Sequence, residues 1–384
     1  MTTFMGYRRP DGRVGVRNIV AIVSAMDNTN ACANRIADIV AHAVPITTPF
    51  GRTQIGHDFE MTLRTLAGIG AHPNVAAVLV LGLSLTSANT LADRIRPSGK
   101  PVEVLGLQEA GSTMGLTMAG VRVAADLTVA ASEQTREPCE FADLTVAVEC
   151  GGSDTTSGIA SNPTVGLFAD RFIDAGGTIV LSEPAEFMGA EHILAERAVD
   201  PEDGQRIRDM VKWFEDEAKR NGVDMRGTNP TPDNIEGGLT TLEEKSLGAI
   251  AKGGSRPIVE VIDYSEPATK RGLVVMNTPS AACESMTGLL GGGSQMIIFS
   301  TGRGNAIGAP ISPTIKITGN PHTAAVMKEN IDVDVSAIIS DSEPLETAAN
   351  RLWDQMLKIA QGKLTRCEVL QEDQLSVSRF GPSV

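Results

Sequence analysis

Short runs of β-branched and aliphatic residues recur along this chain, each followed by a glycine- or serine-rich break and then a helical pattern. Asn18–Ala25, Pro45–Thr48, Asn74–Leu83 and Val102–Leu107 are the first four such runs, and a further set begins at Leu144. It comprises Leu144–Glu149, Thr178–Leu181, Pro257–Ile262, Gly272–Met276, Gln295–Phe299 and Thr314–Thr318. Runs this apolar on both faces, separated by helices and short connections, require a parallel sheet covered on both sides. The expected fold class is therefore α/β, with two parallel-sheet, Rossmann-like three-layer units carrying helices on both faces. Residues 1–140 form the first unit, of which a dimerisation role is expected, and residues 141–384 the second, expected to be catalytic.

Between the strands, Ala185–Ala198 reads as one helix with Glu191 and His192 near its middle, and Asp200–Asn221 as a charged, solvated one. Met225–Glu236 reads as a loop. Thr240/Glu243 and Thr241/Glu244 form a doubled capping-box pattern at the head of the next helix. The terminal amphipathic helix spans Glu343–Gln361.

The net charge of −14 argues against a nucleic-acid or anionic-membrane partner, and the lysines and arginines are scattered. No segment reads as the roughly 18–20 apolar residues a membrane span needs. The N-terminus lacks an apolar signal-peptide core, and the five cysteines include no CxxC pair, which points to a cytoplasmic protein with free thiols. The chain has no P-loop, no GxSxG and no convincing dinucleotide fingerprint after its first strand, so no nucleotide cofactor is expected. Gly302-Arg303-Gly304-Asn305-Ala306-Ile307-Gly308 matches the glycine spacing alone, and Pro310 and Pro313 oppose a helix after it.

The chemistry-bearing residues cluster just after strands, where α/β proteins bind ligands. Glu149-Cys150-Gly151-Gly152-Ser153-Asp154 places a carboxylate, a thiol and a second carboxylate within six positions, with Ser153 or Asp154 able to cap the following helix. Ser182-Glu183 follows another strand, and Thr301-Gly302-Arg303 a third. In a parallel sheet Glu149, Cys150, Asp154, Glu183 and Arg303 would share one rim. The stretch reads equally as a well-capped turn with a buried cysteine. Gly6–Asn18, with Arg8, Arg9, Arg13 and Arg17, reads as a hairpin or loop held to the surface, or as an arginine fork for an anion. Cys32, Cys139 and Cys367 are taken as inert.

Several of these stretches together resemble the altronate/galactarate dehydratase family. They are Gly6–Asn18 (GYRRPDGRVGVRN), Glu149–Asp154 (ECGGSD), Ser182–Glu186 with Gly189–His192, Gly237–Gly248 (GGLTTLEEKSLG) and Thr301–Gly304 (TGRG). The resemblance implies a lyase that eliminates a group from a small anionic 2-hydroxy acid to leave a 2-keto acid. The Asp27–Ala33 stretch, the Gly51-Arg52 loop and Ile331–Ser336 are similar to the branch that converts (2R)-3-sulfolactate to pyruvate and sulfite, with dehydration of a sugar acid as the alternative. A non-catalytic anion-binding subunit is the reading of another class.

The resemblance further implies a divalent metal, iron first with manganese or magnesium as alternatives, held by Cys150, Glu183, Glu191 and His192. It makes Glu149, Lys245 and Glu244 the acid/base candidates. Arg17, Arg52, Ser153, Asp154, Thr155, Thr301 and Arg303 would bind substrate. The expected partners are a separate small β-clip (SAF-type) subunit and further copies of the chain.

Overall fold

The computed structural model describes residues 3–51, 53–381 and 383. Arg52, expected to bind substrate, lies outside the described residues. Fourteen strands are present among them: β1 (Thr3–Arg8), β2 (Val14–Gly15), β3 (Ile19–Ser24), β4 (Ala43–Ile46), β5 (Val75–Gly82), β6 (Val102–Gly106), β7 (Glu137–Glu140), β8 (Thr145–Cys150), β9 (Thr178–Leu181), β10 (Ile258–Ile262), β11 (Leu273–Met276), β12 (Met296–Ser300), β13 (Thr314–Thr318) and β14 (Val333–Asp334).

Two sheets are wholly parallel. The smaller has the order β4-β3-β5-β6, and the larger β10-β11-β9-β8-β12-β13-β14. Every residue of β5, β8 from Val146, β9, β11, β12 and β13 is buried, as strands covered on both faces require. The expected α/β class with helices on both sides is what the chain adopts. A third sheet, antiparallel β2-β1-β7, is an addition to that expectation. In it the Gly6–Asn18 stretch forms a hairpin, with Tyr7 opposite Gly15 and Arg8 opposite Val14.

The two parallel sheets share an apolar cluster. Val23, Val78 and Val80 of the smaller sheet belong with Ala147, Val274, Ile297 and Phe299 of the larger, through helix residues Leu66, Leu91, Met286 and Leu289. Polar contacts reinforce this seam. His72 is fully enclosed, with Nδ1 accepting from the Asn74 amide at 3.0 Å and Nε2 meeting the Ser294 carbonyl at 3.0 Å. That pair of partners selects the neutral tautomer protonated on Nε2, and burial depresses its pKa to about 3.

Three elements differ from expectation. The expected helix Ala185–Ala198 is broken into a 3₁₀ turn, Pro184–Phe187, and a short helix, Glu191–Glu196, because Gly189 takes φ +91° between them. Met225–Glu236 contains two short helices, Met225–Thr228 and Pro232–Glu236, the second opened by Pro232 and capped by Thr231 with Asn234. Helix Thr113–Ser132 is long and apolar enough to cross a membrane by length and composition, contrary to the reading that no segment is. Its Leu116, Gly120, Ala124, Leu127 and Ala131 pack into the cluster formed by β3, β5 and helix Asn30–Ile39.

Candidate active site

In the larger sheet the connection from β8 runs to β9 on one side, and that from β12 to β13 on the other. The crevice where neighbouring strands send their connections in opposite directions is the usual ligand position in such sheets. Cys150, the last residue of β8, stands in register with Ser300, the last of β12. The two following loops interlock: Gly151 N donates to Ser300 O at 3.1 Å, and the amides of Gly302 and Arg303 both reach Gly152 O. Gly152 carries φ +67°. A Cβ on Gly302 would stand 2.2 Å from the Asp154 carboxylate, so glycine alone lets these loops close.

Beneath this rim sits an enclosed polar network. The side chains of Glu149, Cys150, Glu183 and Lys252 are each 5% exposed or less. Ser182 Oγ and Ser285 Oγ donate to Glu149 Oε2 at 2.8 and 2.6 Å, and the Cys150 amide donates to Oε1 at 3.2 Å. Cys150 Sγ lies 3.5 Å from Glu183 Oε2. Lys252 Nζ lies 2.6 Å from Cys150 Sγ and 3.9 Å from Glu183 Oε2. Glu183 adopts φ +65°, a left-handed conformation that a non-glycine residue rarely takes, and its amide donates to Thr278 Oγ1 at 2.9 Å.

Electrostatics follow from enclosure. Burial, then the neighbouring Glu149 and Cys150, push the Glu183 carboxyl well above the usual range, with Lys252 opposing. Burial by itself would push Lys252 down, yet the charges of Cys150, Glu183 and Glu149 outweigh it and hold the ammonium above its ordinary value. Glu183 thus favours its protonated form beside Glu149, whose carboxylate oxygens accept three hydrogen bonds.

The helix after this turn is irregular at its start. Asp154 is its cap: Oδ1 accepts from the Ser157 amide at 3.0 Å and from Thr156 Oγ1 at 2.6 Å, and Oδ2 accepts from Asn320 Nδ2 at 2.7 Å. Ser157–Ser161 then form a π-turn, in which the Asn162 amide bonds Ser157 O, before the α-helix Asn162–Asp174. Pro163 supplies a cause, since a proline this early removes an amide donor and crowds the preceding turn. Farther along, a Cβ on Gly166 would stand 2.1 Å from Ala251 O. This close approach seats the turn Ala251–Gly253, and with it Lys252, against the helix.

Of the residues singled out from the sequence, the fold brings Glu149, Cys150 and Glu183 together. It gathers Ser153, Asp154, Thr155, Glu244 and Lys245 around a separate cavity of about 320 Å³. Glu244 Oε2 caps its own helix by accepting from the Thr240 amide at 2.8 Å, which is the capping role. Lys245 Nζ donates to Glu186 Oε1 at 3.1 Å and Asn229 Oδ1 at 2.8 Å. Arg303 pairs with Glu236 at 2.9 Å and shares a neighbouring cavity with Asp154 and Asn320. Thr301 is buried, its hydroxyl accepting from the Gly304 amide at 2.9 Å.

Arg17 is a correction. Its guanidinium is engaged by Glu368 at 2.6 and 2.9 Å and by the carbonyls of Val16, Ile359 and Lys363, which leaves no donor for a substrate. Arg9 is buried likewise, against Pro73 O, Arg17 O, Asn18 and Gln134. The arginine-rich hairpin is thus a clamp on the fold.

The four metal ligands suggested by the resemblance do not assemble. His192 is exposed, and Glu191 Oε2 accepts from the Gly189 amide at 2.6 Å, both on the broken segment after Glu183. Among the described residues no three histidine, cysteine, aspartate or glutamate side chains converge as a metal set. The thiol and carboxylates that do meet are bridged by Lys252, an ammonium where a metal ion would need to stand. The donor set therefore does not fit the expected metal.

Lys252 and Ser285 escaped the sequence reading, because each belongs to no motif and reaches the cluster only through the tertiary fold; Thr278, with Pro279 after a strand, was visible as a residue at the carboxyl edge. A lysine on an otherwise apolar and glycine-rich segment, Ala249-Ile250-Ala251-Lys252-Gly253-Gly254, was the available signal for the first.

Fold and site together define an α/β protein with a buried cluster of carboxylates, a thiol and a lysine at the carboxyl edge of a parallel sheet. Comparison with known proteins narrows the class. The family model described as D-galactarate/Altronate dehydratase, C-terminal, matches residues 141–383, and that described as D-galactarate dehydratase/Altronate hydrolase, second domain, matches residues 6–132. The (2R)-sulfolactate sulfo-lyase subunit beta of Chromohalobacter salexigens is 40% identical over 380 residues, covering 98% of this chain and 97% of that one. The altronate dehydratase of Bacillus subtilis is 32% identical, covering 99% of this chain and 78% of that protein. The galactarate dehydratase (L-threo-forming) of Escherichia coli is 30% identical, covering 94% and 73%. The chain belongs to the D-galactarate/altronate dehydratase family, whose named members here are dehydratases and a sulfo-lyase.

Proposed function

We propose that this chain is the large subunit of a lyase that removes sulfite from (2R)-3-sulfolactate to leave pyruvate. The observation that carries the reading is the 40% identity to a sulfo-lyase beta subunit along essentially the full length of both chains. The dehydratases are more distant and are matched over a smaller share of their length. A beta subunit works with a partner, and the small β-clip subunit expected from the sequence resemblance is that partner in this reading. The five cysteines, all unpaired, fit a cytoplasmic setting.

In this reading the substrate anion enters by the cavity lined by Ser153, Asp154, Thr155 and Lys245, and opening of the rim between that cavity and the enclosed cluster brings its C2 carbon to Glu149. Glu149 takes the C2 proton, and as the enol tautomerises the protonated Glu183 beside it gives a proton to C3 and takes up the proton that the C2 hydroxyl releases. Sulfite departs with the electron pair of the C3–S bond, so no acid is required at the leaving group. Lys252 keeps the enclosed negative charge in register throughout. Iron is left out of these steps because the donor set that would hold it is not gathered.

The test is anaerobic turnover of the purified chain with its small subunit, offering 3-sulfolactate, altronate and galactarate in parallel, with and without ferrous iron. Sulfite and pyruvate from sulfolactate alone are the expected result. A keto-deoxy acid from a sugar acid would keep the family and overturn the substrate. An absolute need for iron would overturn the metal-free description of the site.

A further inference from the structure

Lys252 Nζ and Cys150 Sγ stand closer than a hydrogen bond between them allows. Their 2.6 Å separation is below even the roughly 2.7–3.2 Å of N–H···O bonds, and sulfur is a larger atom than oxygen. Elsewhere in the chain sulfur keeps an ordinary distance from its polar neighbours. Arg8 Nη2 is 3.7 Å from Cys139 Sγ, Cys32 Sγ is 3.8 Å from Thr113 O, and Cys150 Sγ itself is 3.5 Å from Glu183 Oε2. The pair is too far apart for a direct sulfur–nitrogen bond. It is spaced as the two ends of a bent S–O–N link are.

The nitrogen gives a second sign. Lys252 is 1% exposed, and an ammonium carries three donors. Among the described residues Cys150 Sγ is its one hydrogen-bond partner, because Glu183 Oε2 at 3.9 Å is an ion-pair neighbour beyond bonding reach. Enclosed N–H donors without acceptors are costly, whereas a nitrogen bonded to carbon, oxygen and one hydrogen has a single donor and no charge. Both backbones are pinned as well. Cys150 ends β8 in register with Ser300, and the close approach of Gly166 to Ala251 O seats the lysine turn.

We propose that Cys150 and Lys252 are a site of oxidative modification, joined through one oxygen atom into a reversible S–O–N crosslink when the chain meets dioxygen. Counted from the thiol and the ammonium, the S–H bond and two N–H bonds break while S–O and O–N bonds form. The O–O bond of dioxygen breaks, its second oxygen leaves as water, and one proton is released. Sulfur and nitrogen each give up two electrons, and these four reduce the dioxygen. Cys150 retains 5% exposure against 1% for Lys252, so the oxidant meets the cysteine first. A thiol beside a cation is the kind that oxidises selectively. On the lyase reading above, the crosslink removes the cation that balances Glu149 and Glu183 and so turns the enzyme off in air.

The test is intact and peptide mass spectrometry of the full-length wild-type chain, purified under argon and then held in air-saturated buffer. The expected product is heavier by one oxygen less two hydrogens, and digestion leaves the peptide of Cys150 joined to that of Lys252. Dithiothreitol should return the original mass. Cys283, half-buried and with no lysine bonded to it among the described residues, is the internal control and should stay unlinked. Lys252→Arg keeps a cation without the primary amine, and should lose the crosslink. In aired wild type, an unlinked Cys150 carrying extra oxygens or none would overturn the proposal, as would a direct S–N link lighter by two hydrogens. These readouts use no substrate, so their failure is distinct from failure of the lyase reading.

Discussion

Lys252 Nζ and Cys150 Sγ stand 2.6 Å apart, although 102 residues separate them in the chain. The contact joins the end of β8 to a one-turn 3₁₀ segment that no motif marks, and it gives the buried thiol and carboxylates their cation. Lys252→Met should remove that charge while keeping the volume. The uncompensated negative charge left behind is expected to cost about 3–5 kcal/mol of stability, read as a lowered denaturant midpoint, and to abolish sulfite release. Equal stability in the variant would show that the network does not depend on the ammonium.

Glu183 combines a left-handed backbone with a carboxyl pushed well above its usual range by burial. A folded-state pKa raised above the unfolded value means that the native state holds more protons than the unfolded one between those values. Stability on this account falls as pH rises through that window. Glu183→Gln mimics the protonated form, so it should flatten this fall and raise the thermal midpoint at neutral pH, by about 1 kcal/mol of stability, while turnover is lost. A midpoint unchanged across pH 5–8 relative to wild type would contradict the assignment.

His72 makes the opposite prediction. Its folded pKa is depressed to about 3 from an ordinary value of 6.5, so the unfolded chain takes up the extra proton first. Its contribution is fully present above about pH 6.5 and is lost as pH falls toward 3, at about 2 kcal/mol between pH 6.5 and 5. Thermal melts should show this acid-side slope in wild type and a shallower one in His72→Gln.

Arg17 tests the clamp reading of the hairpin. Arg17→Ala removes bonds to Glu368 and to the carbonyls of Val16, Ile359 and Lys363, and should cost about 2–4 kcal/mol in unfolding experiments. KM for sulfolactate in the folded fraction should stay unchanged. A raised KM without lost stability would return Arg17 to the substrate.

Much of the scaffold is legible along the chain. The runs at Thr178–Leu181 and Thr314–Thr318 are strands with those same bounds, and the remaining expected strands shift by at most two residues. The reason is local, because β-branched runs buried on both faces have few alternatives. The break at Gly189 was not legible, since a glycine inside a helical pattern is often tolerated. The motif Gly6–Asn18 was conspicuous for its arginines, yet which partners those arginines meet is settled by carbonyls and carboxylates up to 351 positions away.

By itself the sequence determined the alternation of strand and helix, the loops that end at the carboxyl edge, and Asp154 or its neighbour as a cap. Periodicity and capping act over a few residues, so they are written locally. Only the tertiary structure decided that Lys252 reaches Cys150 and that His72 lies neutral in the seam. Burial and partnership depend on which elements pack together, and the same side chain is a solvated charge, a clamp or a proton carrier according to what encloses it.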